Sequence, residues 1–370
     1  MKKIILWILI PIVIIALFII RTLVSAGQCK TIESYSEFDC KPLEGFAGGE
    51  DIVIDRSTGT AFISYTDRRA ALAGQSFDSG ILSYSLLESN PTPRKLEIVT
   101  KQNESTKLSK FALHDFSFRG FAFHGIDVYT DSNQNKFLFA VNHESANQPA
   151  GYSVIEIFEY KNNKLYHVET INDKELRNLN DVVAVGPRQF YATVDHGATS
   201  YFGQIFENYL QLPISHVVYF DGQSTRKVAG GIAYANGIAV SNNTVYVAGT
   251  VGQKIHVYDR NRKTGDLTKK KSIYLGTGVD NIDIDEQGVI WIGAHPKLLS
   301  FVEHSKHKSK LSPSEVITLT WQNDTNNYKP KTVYLNDGSQ LSGLSVAAAY
   351  RNRVMFGTVF ESKFLDCSRK

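Results

Sequence analysis

Sulfur is scarce in this chain: its 370 residues include 3 cysteines and 2 methionines. No C-x-x-C pair occurs, nor a G-x-S-x-G elbow, an H-E-x-x-H helix or a Walker loop. His143-Glu144 is not followed by a second zinc-binding histidine. These absences argue against a covalent serine mechanism and a zinc hydrolase. There is also no excess of one charge: 40 Lys+Arg against 37 Asp+Glu leave a net +3, no basic footprint for nucleic acid. With 42% hydrophobic and 21% charged residues the chain is not disordered by composition and can bury a large core.

Aromatics are plentiful. Tyr 18 and Phe 21 lean toward a β-rich protein, because such side chains suit a pleated, half-buried surface. Apart from the N-terminus, Thr199–Leu212, ended by Pro213, is the main helical stretch. Elsewhere short alternating runs are punctuated by Gly, Asn and Asp, as in Ser153–Tyr160 and Lys164–Ile171 across Asn162-Asn163.

Residues 1–26 form a separate unit from the 27–370 domain. Ile4 to Ile20 are apolar except for Pro11, behind Lys2 and Lys3. At ~1.5 Å per residue these 17 residues reach roughly 25 Å, close to the ~30 Å hydrocarbon core. The segment reads as a hydrophobic signal-anchor helix with a cytoplasmic N-terminus. Cleavage after Val24-Ser25-Ala26 is the competing reading, and it would make the domain a secreted one. Both send the domain to the lumenal or extracellular side. There the sequons at Asn103, Asn242 and Asn323 are candidate glycosylation sites. In an oxidising compartment a Cys40–Cys367 bridge would tie the two ends of the domain together, leaving Cys29 over.

One pattern recurs, a polar or small pair followed by alternating β-branched residues. It begins at Glu50-Asp51, His124-Gly125, Asn180-Asp181, Asn236-Gly237, Asp280-Asn281 and, weakly, Ser342-Gly343. Six copies in the 344 residues after Ala26 average about 57 residues, slightly longer than the roughly 40–50 of familiar propeller blades. The chain is therefore expected to be an all-β, six-bladed β-propeller in which each copy opens an innermost strand. A sandwich would explain the alternation but not the six openings.

Innermost strands converge on the axis, so Glu50, Asp51, Asn180, Asp181, Asn236, Asp280 and Asn281 would crowd a central tunnel. Carboxylates and amides gathered there would repel one another without a cation, and an oxygen-only set favours Ca²⁺ over zinc, copper or Mg²⁺. His124 opens the second blade at the same level, and His143 follows on the neighbouring strand. Together they form a candidate base and orienting partner. His196 and His295 are further candidates for the pocket wall, with Tyr234, Phe123 and the Tyr201–Leu212 helix as apolar walls.

At these residues the chain resembles the paraoxonase/arylesterase family of calcium-dependent lactonases. The matching stretches include Glu50-Asp51, Phe123–Ile126, Val141–His143, Asn178–Pro187 (NLNDVVAVGP), Ala235–Ile238, Val279–Ile282, His295-Pro296 and Gly357–Phe360. The resemblance implies a six-bladed propeller with two calcium ions that hydrolyses lactones and aryl esters. By motif, Glu50, Asn180, Asn236, Asp280 and Asn281 look like ligands of an upper, catalytic ion. Asp51, Asp181 and the carbonyl of Ile126 look like those of a deeper, structural ion. His124 and His143 match the family's histidine dyad, and Cys40 and Cys367 its terminal disulfide. Ala294 and Val194 depart from the family pattern, and the loop Tyr65–Ser76 bears little resemblance to the family's pocket lid. Two other readings stand beside this one. The first is a membrane-anchored propeller that binds a partner, with calcium only structural. The second is a gluconolactonase-like or strictosidine-synthase-like propeller.

Overall fold

The computed structural model describes residues 2–100, 121–143 and 151–370, with side chains from Leu9 onward. Among the described residues six sheets are arranged around a common axis, antiparallel except where Glu97–Val99 runs parallel to Lys164–Ile171. Their innermost strands are Gly49–Asp55, Phe123–Thr130, Leu179–Gly186, Ala235–Ser241, Gly278–Ile284 and Leu344–Tyr350, which define blades one to six. Each packs on the next, and the sixth returns to the first. The propeller expectation is met, and all six openings lie at or just before an innermost strand.

The openings lie on the axis because the register breaks there. Each innermost strand carries a bulge where it pairs with its outer neighbour, between Gly49 and Asp51, Phe123 and Ile126, Leu179 and Val182, Ala235 and Ile238, Val279 and Ile282, and Leu344 and Val346. A bulge frees a residue from the ladder and re-aims its side chain. The β-branched residues that follow return to the alternating pattern and fill six apolar clusters, one between each pair of adjacent blades.

Aspartates link neighbouring blades at the axis. Asp51 Oδ2 accepts the Ile126 N–H at 2.7 Å, and Asp181 Oδ2 accepts that of Ile238 at 2.8 Å. Lower down, Asp127 Oδ2 takes the Ala184 N–H and Asp283 Oδ2 that of Ala349, at 2.8 and 2.9 Å. In each case a carboxylate from one blade satisfies a main-chain donor of the next.

Strand Phe38–Glu44 pairs with Lys363–Arg369, so the start of the domain supplies the outermost strand of its last blade. Cys40 and Cys367 face each other in that pairing and are bonded, as expected, while Cys29 is free and exposed. The bridge spans 327 residues. Replacing both cysteines by serine is expected to lower the unfolding free energy by about 2–5 kcal/mol, read from urea melts of variant and wild type.

The N-terminal segment is helical over Lys2–Ser25 and contains Pro11. Its apolar side chains from Leu9 to Ile20 are exposed. Among the described residues no helix is long and apolar enough to cross a membrane, so the expected span gains no support here. Of the sequons, Asn103 lies outside the described residues, whereas Asn242 and Asn323 are exposed in hairpin turns. The turn Asn162-Asn163 has both residues at positive φ, 54° and 56°, which explains the choice of asparagine there.

Candidate functional site

At the top of the axis the polar openings meet. Asn281 Nδ2 donates to Glu50 Oε1 at 3.1 Å, joining blade five to blade one. Asn236 donates from Nδ2 to Thr250 Oγ1 at 3.0 Å and also hydrogen-bonds Asp280. Ser345 of blade six donates to the Glu50 carbonyl at 2.5 Å, and His295 Nε2 lies 2.7 Å from Asp280 Oδ2. Glu50, Asn180, Asn236, Asp280 and Asn281 are all at most 5% exposed.

Four buried oxygens here have no hydrogen-bond partner among the described residues: Glu50 Oε2, Asn180 Oδ1, Asn236 Oδ1 and Asn281 Oδ1. In Asn236 and Asn281 the amide nitrogen makes the hydrogen bond and the oxygen is left over. A buried unpaired acceptor costs roughly 1–3 kcal/mol, so four in one place call for a positive partner. Among the described residues no three His, Cys, Asp or Glu side chains form a metal cluster by themselves. Three of the four unpartnered atoms are amide oxygens, as suits a hard cation that takes neutral carbonyl oxygens.

Asp51 and Asp181 sit deeper. Burial, and then the charge of Glu50, raises the Asp51 carboxyl well above its ordinary range; burial, and then Asp51, does the same for Asp181. Ile126 reaches this level through its N–H on Asp51. The blades approach closely here. A Cβ on Gly125 would meet Asp181 Oδ1 at 2.3 Å and Asp181 Cα at 2.5 Å, and one on Gly237 would meet Asn281 Cα at 2.5 Å. Only glycine lets the polar residues come within reach of one another at these two points.

His124 is fixed by the next blade. Its Nδ1 lies 2.8 Å from the Asn180 carbonyl, which can only accept, so Nδ1 carries the proton and Nε2 keeps its lone pair. Nε2 is 3.5 Å from Glu50 Oε1. Burial, and then the charge of Arg68, holds this ring well below the ordinary histidine value. His143 packs with ring centres 5.1 Å away, and its Nδ1 is 3.1 Å from Ser153 Oγ. Burial, then His124, brings it down to about 3. Both rings are therefore neutral near pH 7, as a proton acceptor must be.

Of the other candidates, His295 is 2% exposed, stacked on Phe301 at 3.9 Å and bonded to Asp280. His196 is bonded to Asp195 at 2.7 Å and lies edge-on to Tyr234, with ring centres 5.0 Å apart. Phe123 is not a pocket wall; its ring is 1% exposed, within the core between blades one and two. The helix in the 199–212 stretch runs Tyr201–Leu210, capped by Ser200. Two short helices, Arg68–Leu72 and Leu298–Lys306, were not anticipated. Arg68 was missed with the first of them, although the pair Arg68-Arg69 in an otherwise weakly charged loop was the available signal.

The arylesterase family model matches residues 52–368. Human serum paraoxonase/arylesterase 1 is 36% identical over 338 residues, covering 89% of this chain and 88% of that protein. Rabbit serum paraoxonase/lactonase 3 is 32% identical over 352 residues, covering 93% and 92%. Among solved structures, a luciferin-regenerating enzyme superposes with a TM-score of 0.52 at 12% identity, covering 90% of this chain and 95% of the other, a likeness of fold alone. On the extent of these matches, the chain belongs to the arylesterase family.

Proposed function

We propose that this protein is a calcium-dependent hydrolase of carboxylic esters, acting on lactones and aryl esters. The observation that carries the reading is the set of four unpartnered buried oxygens beside the open Nε2 of His124. Glu50, Asn180, Asn236, Asp280 and Asn281 would hold an upper calcium ion, and Asp51, Asp181 and the Ile126 carbonyl a deeper one. When bound, calcium acts as a Lewis acid on the substrate carbonyl.

The chain's own groups do the proton work. The Asn180 carbonyl keeps the proton of neutral His124 on Nδ1, leaving Nε2 to take a proton from the attacking water. Glu50 Oε1, 3.5 Å from Nε2, then faces the imidazolium and stabilises its charge. The same proton passes to the departing oxygen, giving an acid and an alcohol or phenol, or a hydroxy acid from a lactone. His143 packs against His124 and keeps its plane. Burial of both rings limits access of bulk water to the proton. A purely structural pin would have no use for an open imidazole nitrogen, so the binding-module reading is not favoured.

The membrane reading rests on one face of the molecule. Arg21 of the N-terminal helix donates to Gln211 Oε1 at 2.9 Å, placing that helix beside Tyr201–Leu210, where Tyr201, Phe202 and Phe206 are exposed. This face would rest on lipid, with the domain on the lumenal or extracellular side and glycans on Asn103, Asn242 and Asn323.

The test is hydrolysis of simple lactones and phenyl acetate with calcium and after exhaustive EGTA treatment. Loss of Lewis-acid assistance worth several kcal/mol should reduce turnover about a hundredfold or more. Undiminished lactone hydrolysis would overturn the proposal.

A further inference from the structure

The short helix Arg68–Leu72 brings a cation to within 3.5 Å of Glu50 Oε2. Asp67 caps its first turn, with Oδ1 accepting the Ala70 N–H at 3.1 Å. The helix is held in place by Arg69, which donates to the Phe360 carbonyl at 2.8 Å and the His304 carbonyl at 2.6 Å and lies 5.0 Å over the Phe360 ring. With Arg69 fixed, Arg68 points inward and its side chain is only 14% exposed.

The guanidinium of Arg68 is anchored mainly by main chain. Nη1 donates to the Gly48 carbonyl at 3.2 Å and Nη2 to the Phe123 carbonyl at 3.3 Å. Its nearest carboxylate oxygen, Glu50 Oε2, is 3.5 Å away and has no hydrogen-bond partner. Arg68 is thus not closed onto Glu50 as a tight bidentate pair. Its position is set by main-chain carbonyls, and it lies near Glu50 Oε2 while His124 lies near Oε1. The charge reaches both histidines, since it helps to hold each in the neutral form.

A buried guanidinium carries a large desolvation cost unless its charge is used. A divalent ion held by Glu50 and Asp280 would offset those two carboxylates and leave the Arg68 charge, 3.5 Å from Glu50 Oε2, without a neutralising partner. A planar guanidinium preorganised in this way suits a carboxylate. Resting on the hydrolase reading above, we propose that Arg68 is a specificity-determining residue that selects esters and lactones bearing a second, free carboxylate near the scissile bond.

The experiment compares monophenyl glutarate with phenyl butyrate, two aryl esters that differ chiefly in the free carboxylate, on the calcium-loaded full chain and on its Arg68→Gln and Arg68→Lys variants. Wild type should favour the carboxylated ester in kcat/KM. Arg68→Gln should reduce that preference at least tenfold, and Arg68→Lys should retain part of it. Calorimetric titration of glutarate into the same proteins gives a readout independent of turnover. Binding should be present in wild type and weakened tenfold or more in Arg68→Gln. Calcium titrations establish whether each variant still loads. An equal preference and equal glutarate binding in wild type and Arg68→Gln would overturn the proposal. Arg68-dependent glutarate binding without hydrolysis of either ester would support the carboxylate site while removing the hydrolase reading.

Discussion

Exchanging His124 for glutamine is expected to lower kcat/KM for lactones and phenyl acetate by about 10²–10⁴-fold, the usual contribution of a positioned general base. Glutamine is similar in reach and neutral, and its amide can still donate to the Asn180 carbonyl, so the blade contact survives. What it lacks is a nitrogen lone pair able to take a proton at the position of Nε2. The fall should be mainly in kcat, with calcium affinity and melting temperature close to wild type, because the unpaired oxygens beneath the ring belong to other residues. Activity within threefold of wild type at matched purity and calcium load would assign the proton to another group, and Glu50 would be the next to examine.

The second large effect concerns stability. Burial raises the carboxyls of Glu50, Asp51, Asp181 and Asp280 above their ordinary values, and their charges on one another add to the shift in Asp51, Asp181 and Asp280. Between the ordinary and the raised values, the metal-free fold still holds protons that the unfolded chain has released. Its stability therefore falls as pH rises through that window. At neutral pH the metal-free axis is at a disadvantage that a bound cation removes. Calcium at about a hundred times its Kd, at two sites, should raise the melting temperature by roughly 5–15 °C over an EGTA-treated sample. The difference should shrink as pH is lowered toward the ordinary carboxyl values, where the unfolded chain also takes up protons. Equal melting temperatures at pH 7.5 with and without calcium would show that no ion is held at the axis.

Much of this site was legible in the sequence because its chemistry is written beside a structural irregularity. At Glu50-Asp51, Asn180-Asp181 and Asp280-Asn281 a pair of polar residues interrupts strong β-branched alternation, and a bulge is the local structure that such an interruption produces. The sixth opening was faint because Ser345 contributes through a single hydroxyl, on the Glu50 carbonyl. The inward-turned arginine was not legible. Whether a five-residue helix forms at Arg68–Leu72 depends on Asp67 and on what Arg69 meets some 290 residues away in the chain, at Phe360. An arginine in a loop is ordinarily solvated, and nothing local marks Arg68 as the one that turns inward. The departure at Val194 bears little on the chemistry, since that side chain is 3% exposed within the core between blades two and three.

The pairing of Phe38–Glu44 with Lys363–Arg369 also has a temporal consequence. During synthesis strand Phe38–Glu44 leaves the ribosome without the partner it needs, since Cys367 is made 327 residues after Cys40. Five blades can collapse in turn while this strand remains an open edge, available for pairing with another chain. Completion of the last blade is thus a late event, and shielding this strand until its partner is made would favour the native ring over swapped assemblies.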